Sequence, residues 1–129
     1  MSQEHLQTVY ERLGGQAPLH RLVQRFYDLM EMEPAYQVLR SRHGSDLETA
    51  RQRLEMFLSG WMGGPPLYEQ AFGHPRLRAR HLPFSIGIEE RDQWLQCMDQ
   101  AMQDTGLDNE LRLRLNASFF QTADWMRNQ

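Results

Sequence analysis

An all-α fold is what this sequence predicts, and three observations carry it. Apolar residues recur at three- and four-residue spacing along nearly the whole chain. Hairpin turns flanked by alternating β-branched residues are missing, so strand signals are almost absent. Glycine and proline pairs cut the helical pattern into pieces of unequal length. A chain of 129 residues makes one core and therefore a single domain over 1–129.

The elements follow in order. Leu6, Val9, Tyr10 and Leu13 make a short stripe stopped by Gly14-Gly15. Leu19, Leu22, Val23, Phe26 and Met30 make a second helix over about 17–32, which Pro34 ends. Residues 34–45 read as a short helical turn and a loop. The third helix is the clearest, with Leu47, Ala50, Leu54, Phe57, Leu58 and Trp61 on one face and Ser45 or Asp46 as N-cap. Gly63-Gly64-Pro65-Pro66 ends it, and 67–73 read as mostly irregular. A short helix then carries Leu77 to His81 and stops before Pro83. Trp94, Cys97, Met98 and Ala101 mark a helix over 88–104, broken by Gly106. Leu111, Leu115, Phe119 and Thr122 mark the last, over 108–127.

Composition excludes several classes. With 40% hydrophobic and 24% charged residues the chain is ordinary for a globular protein. A net charge of -3 and a pI near 5.9 argue against a nucleic-acid surface. The one cysteine, Cys97, excludes an internal disulfide and any multi-cysteine zinc or iron–sulfur site. No apolar run approaches the roughly 20 residues of a membrane span, and the opening MSQEHLQTVYERLGG does not look like a signal peptide, so the cytoplasm is the expected location.

The residues able to carry chemistry are few. His81, at a helix end where carbonyls fix an imidazole, reads either as a helix-end residue or as an iron ligand. His74 would share its face on a continuous helix, but no Asp or Glu lies between residues 70 and 88, so a hydrolytic zinc site is disfavoured. Tyr27, His43 and Trp94 are polar-tipped aromatics, each of which alone reads as a boundary residue and which together would bind a small polar ligand. Arg76, Arg78 and Arg80, with Arg51 and Arg53, read as solvated surface or as carboxylate recognition. There is no GxSxG, GxxxxGK or HExxH, Cys97 reads as a buried inert thiol, and the eight methionines read as core filler.

Four blocks then carry a resemblance over almost the whole chain: RFYDLM (25–30), FLSGWMGGPPLY (57–68), GHPRLRARHLPFSIG (73–87) and ERDQWLQCM (90–98). In this order and spacing they resemble the truncated haemoglobins of the second group, short globins with a two-over-two helical sandwich around haem. The resemblance implies that His81 is the proximal histidine and the one protein bond to the iron of haem b. It implies that Tyr27 is the distal tyrosine and Trp94 the tryptophan typical of the group, with His43 facing the bound ligand. Ala50 then stands where many globins have a distal histidine. Leu54 and Phe57 join it along the third helix, Leu77, Phe84 and Ile86 form apolar wall, and Arg80 and Arg53 are candidates for the propionates. Gly14-Gly15 and Gly63-Gly64 match the turns that let shortened helices pack over haem.

The implied function is binding of O2, CO, NO or small anions, with release slowed by hydrogen bonds from Tyr27, His43 and Trp94. Each such bond is worth about 1.5–3 kcal/mol, roughly ten- to hundredfold in rate. The alternative is a haem enzyme, an NO dioxygenase or a peroxidase-like activity. It would need a separate reductase, since no flavin or nicotinamide motif is present. A haem-free helical module is the third reading. No nucleic-acid or membrane partner is expected, and the chain is expected to act as a monomer or homodimer.

Overall fold

The computed structural model describes residues 7–84 and 86–129, so Leu6 of the first stripe lies outside the described residues. All regular structure among those residues is helical. The first helix, α1 (Val9–Leu13), opens on a capping box in which the Thr8 hydroxyl accepts the Glu11 N–H at 3.1 Å and the Glu11 carboxylate accepts the Thr8 N–H at 3.1 Å. It ends at Gly14, whose φ of 110° is the left-handed conformation that closes a helix without a Cβ penalty. Helix α2 (Gln16–Met32) follows at once, and its residues Leu19, Leu22, Val23, Phe26, Leu29 and Met30 are essentially inaccessible to solvent. A 3-10 turn (Pro34–Tyr36) and α3 (Gln37–Ser41) fill the connector expected to be a helical turn plus loop.

Helix α4 (Glu48–Trp61) takes Leu47 as its N-cap. The expected cap, Asp46, acts from one residue earlier by accepting the Glu48 N–H at 2.9 Å. Residues 67–73 depart from expectation: they are not irregular but form α5 (Leu67–Phe72). Pro65 and Pro66 end α4 and then preset the chain for the next helix, with Pro66 as its N-cap. Tyr68 and Phe72 meet one turn apart, their ring centroids at 5.1 Å, and the helix packs on α4. Helix α6 (Leu77–His81) is the expected length. It starts too late to include His74, so the shared face expected for His74 and His81 does not form. The His74 ring instead accepts the Arg76 N–H at 3.0 Å, and Arg76 takes a φ of 48°.

Helices α7 (Ile88–Asp104) and α8 (Asn109–Trp125) finish the fold. Asp108 caps α8 by accepting the Leu111 N–H at 3.2 Å. The helix pairs α2/α4 and α7/α8 are joined through the contact of α2 with α7. Cys97, Met98, Ala101 and Met102 of α7 meet the buried face of α2, with Leu58 of α4 and Leu115 of α8 completing the core. Among the described residues no helix is long and apolar enough to cross a membrane.

The start of the chain is tied to the end of α4. The Tyr10 N–H donates to the Met62 carbonyl at 2.9 Å, and the Tyr10 ring covers Gly64 so closely that a Cβ there would overlap it. Gly64→Ala is therefore expected to lower stability by about 1–3 kcal/mol, the usual cost of overpacking a formed contact. Urea unfolding of the two proteins would measure it, and an unchanged midpoint would show that the Tyr10 ring moves aside freely.

Candidate functional site

His81 is the last residue of α6 and half buried. Its Nδ1 lies 2.6 Å from the Leu77 carbonyl, one turn earlier. A carbonyl only accepts, so Nδ1 carries the proton and Nε2 keeps its lone pair. That is the tautomer a metal-ligating histidine needs, with its second nitrogen fixed by a carbonyl. Among the described residues no group of three or more His, Cys, Asp or Glu side chains converges to hold a metal. A metal at His81 therefore needs a cofactor that brings its own equatorial ligands, and the single donor fits a macrocycle better than a protein cage.

The segment after His81 is held in place from the far end of the chain. The Asn128 side-chain amide donates to the Phe84 carbonyl at 2.7 Å and to the His81 carbonyl at 3.4 Å, and its carbonyl accepts the Ile86 N–H at 3.0 Å. The Ile86 carbonyl in turn accepts the Asn128 N–H at 2.9 Å. Nothing in the sequence singled out Asn128, because a lone polar residue near a chain end carries no pattern. Phe84, expected as wall, is 47% exposed, whereas Ile86 and Leu77 are half buried.

Tyr27, on α2, is buried, and its hydroxyl makes no hydrogen bond with any described residue. Burial pushes its pKa well up, only partly offset by Arg51, so the phenol stays protonated and available as a donor. Trp94, on α7, is likewise half buried with no partner for its indole N–H among the described residues. The two are linked through Phe26, whose ring lies 5.0 Å from Tyr27 and 5.2 Å from Trp94. His43 meets the Tyr27 ring edge to face at 5.9 Å. Its Nδ1–H donates to the Leu39 carbonyl at 3.0 Å, so the neutral ring also offers Nε2 as an acceptor. Burial lowers the His43 pKa, and the charges of Arg40 and His81 lower it further against the raising effect of the Leu39 bond. Tyr27 and His43 are thus in ring contact, whereas Trp94 is linked to them through the Phe26 ring.

The loop bearing His43 is pinned by a pair the sequence reading missed. Arg42 donates to Glu90 at 2.9 and 3.0 Å, and Glu90 also accepts the Gly87 N–H at 2.9 Å. Burial alone would raise the Glu90 pKa; these bonds outweigh it and hold the carboxyl below its ordinary range. Ala50, Leu54 and Phe57 pack on the core from α4 yet remain only half buried, as a wall with one open side does. Arg51 is committed elsewhere: it bonds the Gln24 side chain at 2.7 Å and Asp28 at 2.9 Å, with its guanidinium 5.7 Å from the Tyr27 ring centre. Arg53 and Arg80 are exposed and flank one aromatic pair, Arg53 over Phe72 at 5.0 Å and Arg80 over Tyr68 at 5.9 Å. Arg80 is also tied to the Pro75 carbonyl at 2.8 Å. Cys97 is buried, donates to the Phe26 carbonyl at 3.2 Å and has its pKa pushed up to about 12 by burial, so it is no nucleophile.

The Asn128 bonds give a measurable expectation. Asn128→Ala removes the side-chain bonds that hold the His81–Ile86 segment, each worth about 1 kcal/mol, so hemin should leave the loaded variant roughly tenfold faster. Transfer of hemin to an excess of apomyoglobin would time it. An unchanged rate would mean that the backbone bonds between Ile86 and Asn128 suffice.

Comparison with known proteins agrees with this geometry. The chain matches the bacterial-like globin family over residues 8–128. It is 42% identical over 120 residues to a group 2 truncated haemoglobin of Bacillus subtilis, an alignment covering 93% of this chain and 88% of that protein. Its structure superposes on a group II 2-on-2 haemoglobin of Agrobacterium tumefaciens with a TM-score of 0.93 and 40% identity, covering 100% of this chain and 99% of the other. It also superposes on a truncated oxygen-avid haemoglobin of Bacillus subtilis, at a TM-score of 0.87 and 41% identity, over 95% of this chain and 100% of that one. The helix pairs α2/α4 and α7/α8 are the two layers of the two-on-two fold, whose family binds haem and small gases: the chain belongs to the bacterial-like globins, among the group II truncated haemoglobins.

Proposed function

We propose that this protein binds haem b through His81 and retains a diatomic ligand, O2 foremost, by hydrogen bonds from its distal side. The observation that carries the reading is the His81 ring, held by the Leu77 carbonyl with Nε2 free. Haem, when bound, would supply an iron centre able to bind O2, CO or NO. The protein does the rest. His81 would hold the iron through Nε2, and the Leu77 carbonyl fixes the tautomer and direction of its ring. Ala50, Leu54, Phe57 and Ile86 exclude water from the cofactor faces, and Arg53 and Arg80 stand ready for the propionates at the edge. Tyr27 and Trp94 each offer one unpartnered donor to the ligand, while Ala50 leaves entry from α4 sterically open. The oxygen-avid relative supports slow release over transport. Such a protein works in the cytoplasm as a monomer or homodimer, with a separate reductase returning its iron to the ferrous state.

An absorption spectrum tests the core of this. The purified protein should show a Soret band in the region of about 400–430 nm that shifts with CO, and His81→Ala should abolish the iron–imidazole signature. A colourless protein that refuses added hemin would sink the proposal.

Ligand release tests the distal side. Tyr27→Phe and Trp94→Phe should each speed O2 dissociation by roughly tenfold or more, as expected for one lost bond to a charged or strongly polar acceptor. The effect of His43 depends on pH. While neutral it offers Nε2 only as an acceptor; once pH falls below its lowered pKa it gains an Nε2–H and becomes a third donor. Dissociation should therefore slow on acidification below the ordinary histidine range, and the slowing should vanish in His43→Phe. Stopped-flow rates across pH would decide, and a pH-independent rate in the unmodified protein would remove His43 from the account.

A further inference from the structure

A surface groove of about 410 Å³ lies where the end of α4, the start of α6 and the end of α8 meet. Phe57, Trp61, Leu77 and Trp125 give it apolar and aromatic walls, and His74, Arg76 and Arg78 give it a basic rim against one acidic lining residue, Glu69. In a chain of net charge -3 such a rim is a local reversal of sign. The rim is also built at a conformational cost. Arg76 is the one non-glycine with positive φ among the described residues, and the bond from its N–H to the His74 ring holds it there. Arg78 lies over the Trp125 ring at 5.6 Å.

The back of the groove leads inward. The Trp61 ring stacks on Phe119 with centroids 4.9 Å apart and planes 11° from parallel, and Phe119 meets Trp94 at 5.2 Å. Indole rings therefore sit at both ends of an unbroken aromatic contact, one lining the groove and the other at the cofactor site. Tryptophan is among the most easily oxidised side chains, and the Phe119 ring is in contact with both indoles. The guanidinium of Arg78 disfavours positive charge on Trp125, which leaves Trp61 as the oxidisable ring of the groove.

We propose that this groove seats a reducing co-substrate, a small electron-rich aromatic bearing a carboxylate, and that Trp61 and Trp94 relay its electrons to haem when hydrogen peroxide is the oxidant. The inference rests on the haem reading above. Arg76 and Arg78 pair with the carboxylate, and the aromatic wall takes the ring. The step balances with a phenol as donor. Two phenols each break an O–H bond and lose one electron and one proton, leaving as phenoxyl radicals that couple. The O–O bond of one peroxide breaks and accepts the two electrons and two protons, giving two waters. Trp61 and Trp94 end each pass as they began.

The test uses the haem-loaded protein with 4-hydroxyphenylacetate as probe and neutral 4-hydroxyphenylethanol as its control. The Soret band and CO shift are recorded before any donor is added, so a failure of haem binding is seen by itself and takes the relay with it. With haem in place, Arg78→Gln should raise KM for the charged phenol about tenfold and leave that for the neutral one unchanged, as expected for one lost ionic hydrogen bond. Trp61→Phe, which keeps an aromatic ring in the wall, should lower kcat by about tenfold or more, well beyond any change in KM, with the CO spectrum intact. Ligand-observed NMR should show the probe binding and Arg78→Gln weakening it. Overturning results are a probe that does not bind, equal responses to the charged and neutral phenols, or a kcat indifferent to Trp61→Phe. Any of these with a normal Soret band leaves the globin reading standing and removes the groove.

Discussion

The hydrogen bond from the His81 ring to the Leu77 carbonyl sets the terms for everything around it. It spans one turn of a five-residue helix, so a very short element suffices to fix a ring in both tautomer and direction. A helix that short has little stability of its own. Its position is borrowed from neighbours: Arg80 bonds the Pro75 carbonyl at its start, and Asn128 grips the segment beyond its end. The His81 segment is thus an arrangement in which tertiary contacts hold a local geometry that local propensity would not sustain.

The polar aromatics are held by the opposite means. Tyr27 and Trp94 stand on long helices, α2 and α7, whose mutual packing is the core of the protein. No buried side-chain donor among the described residues lacks a partner, so the Tyr27 hydroxyl and the Trp94 indole N–H reach open space, and a rigid core keeps them from turning to other partners. His43 belongs to neither scheme. It sits on a loop, held by its own bond to Leu39 and by the Arg42–Glu90 pair next to it. Tyr27 and Trp94 thus stand on rigid supports, whereas His43 stands on a pinned loop.

Much of this was readable in the sequence. The periodicity that predicted residues 88–104 as a helix matches α7 residue for residue, because its spacing is long and uninterrupted. The stop after His81 was written by Pro83. What escaped were features that depend on contacts between distant residues. Residues 67–73 looked irregular because two prolines hide the start of α5, whose stability comes from packing on α4. Arg51 looked like a candidate for ligand recognition, and only its neighbours Gln24 and Asp28 reveal that it is already engaged. Asn128 and Glu90 lie 47 residues from His81 and 48 from Arg42 in the chain, which no local pattern records. The positions of Tyr27 and Trp94 were legible through resemblance, whereas their missing partners were visible only in the folded chain.

Cys97 adds something of a different kind. Its thiol lies wholly inside the seam between α2 and α7, bonded to the Phe26 carbonyl, and it is the single cysteine in the chain. Burial keeps it protonated and out of reach while the seam is closed. Any reagent that modifies it must wait for those two helices to part, since separation alone restores both access and an ordinary acidity. The protein thereby carries an internal clock: alkylation would count the openings of its core one by one, and the same count taken with and without haem would weigh how firmly the cofactor keeps the two layers together.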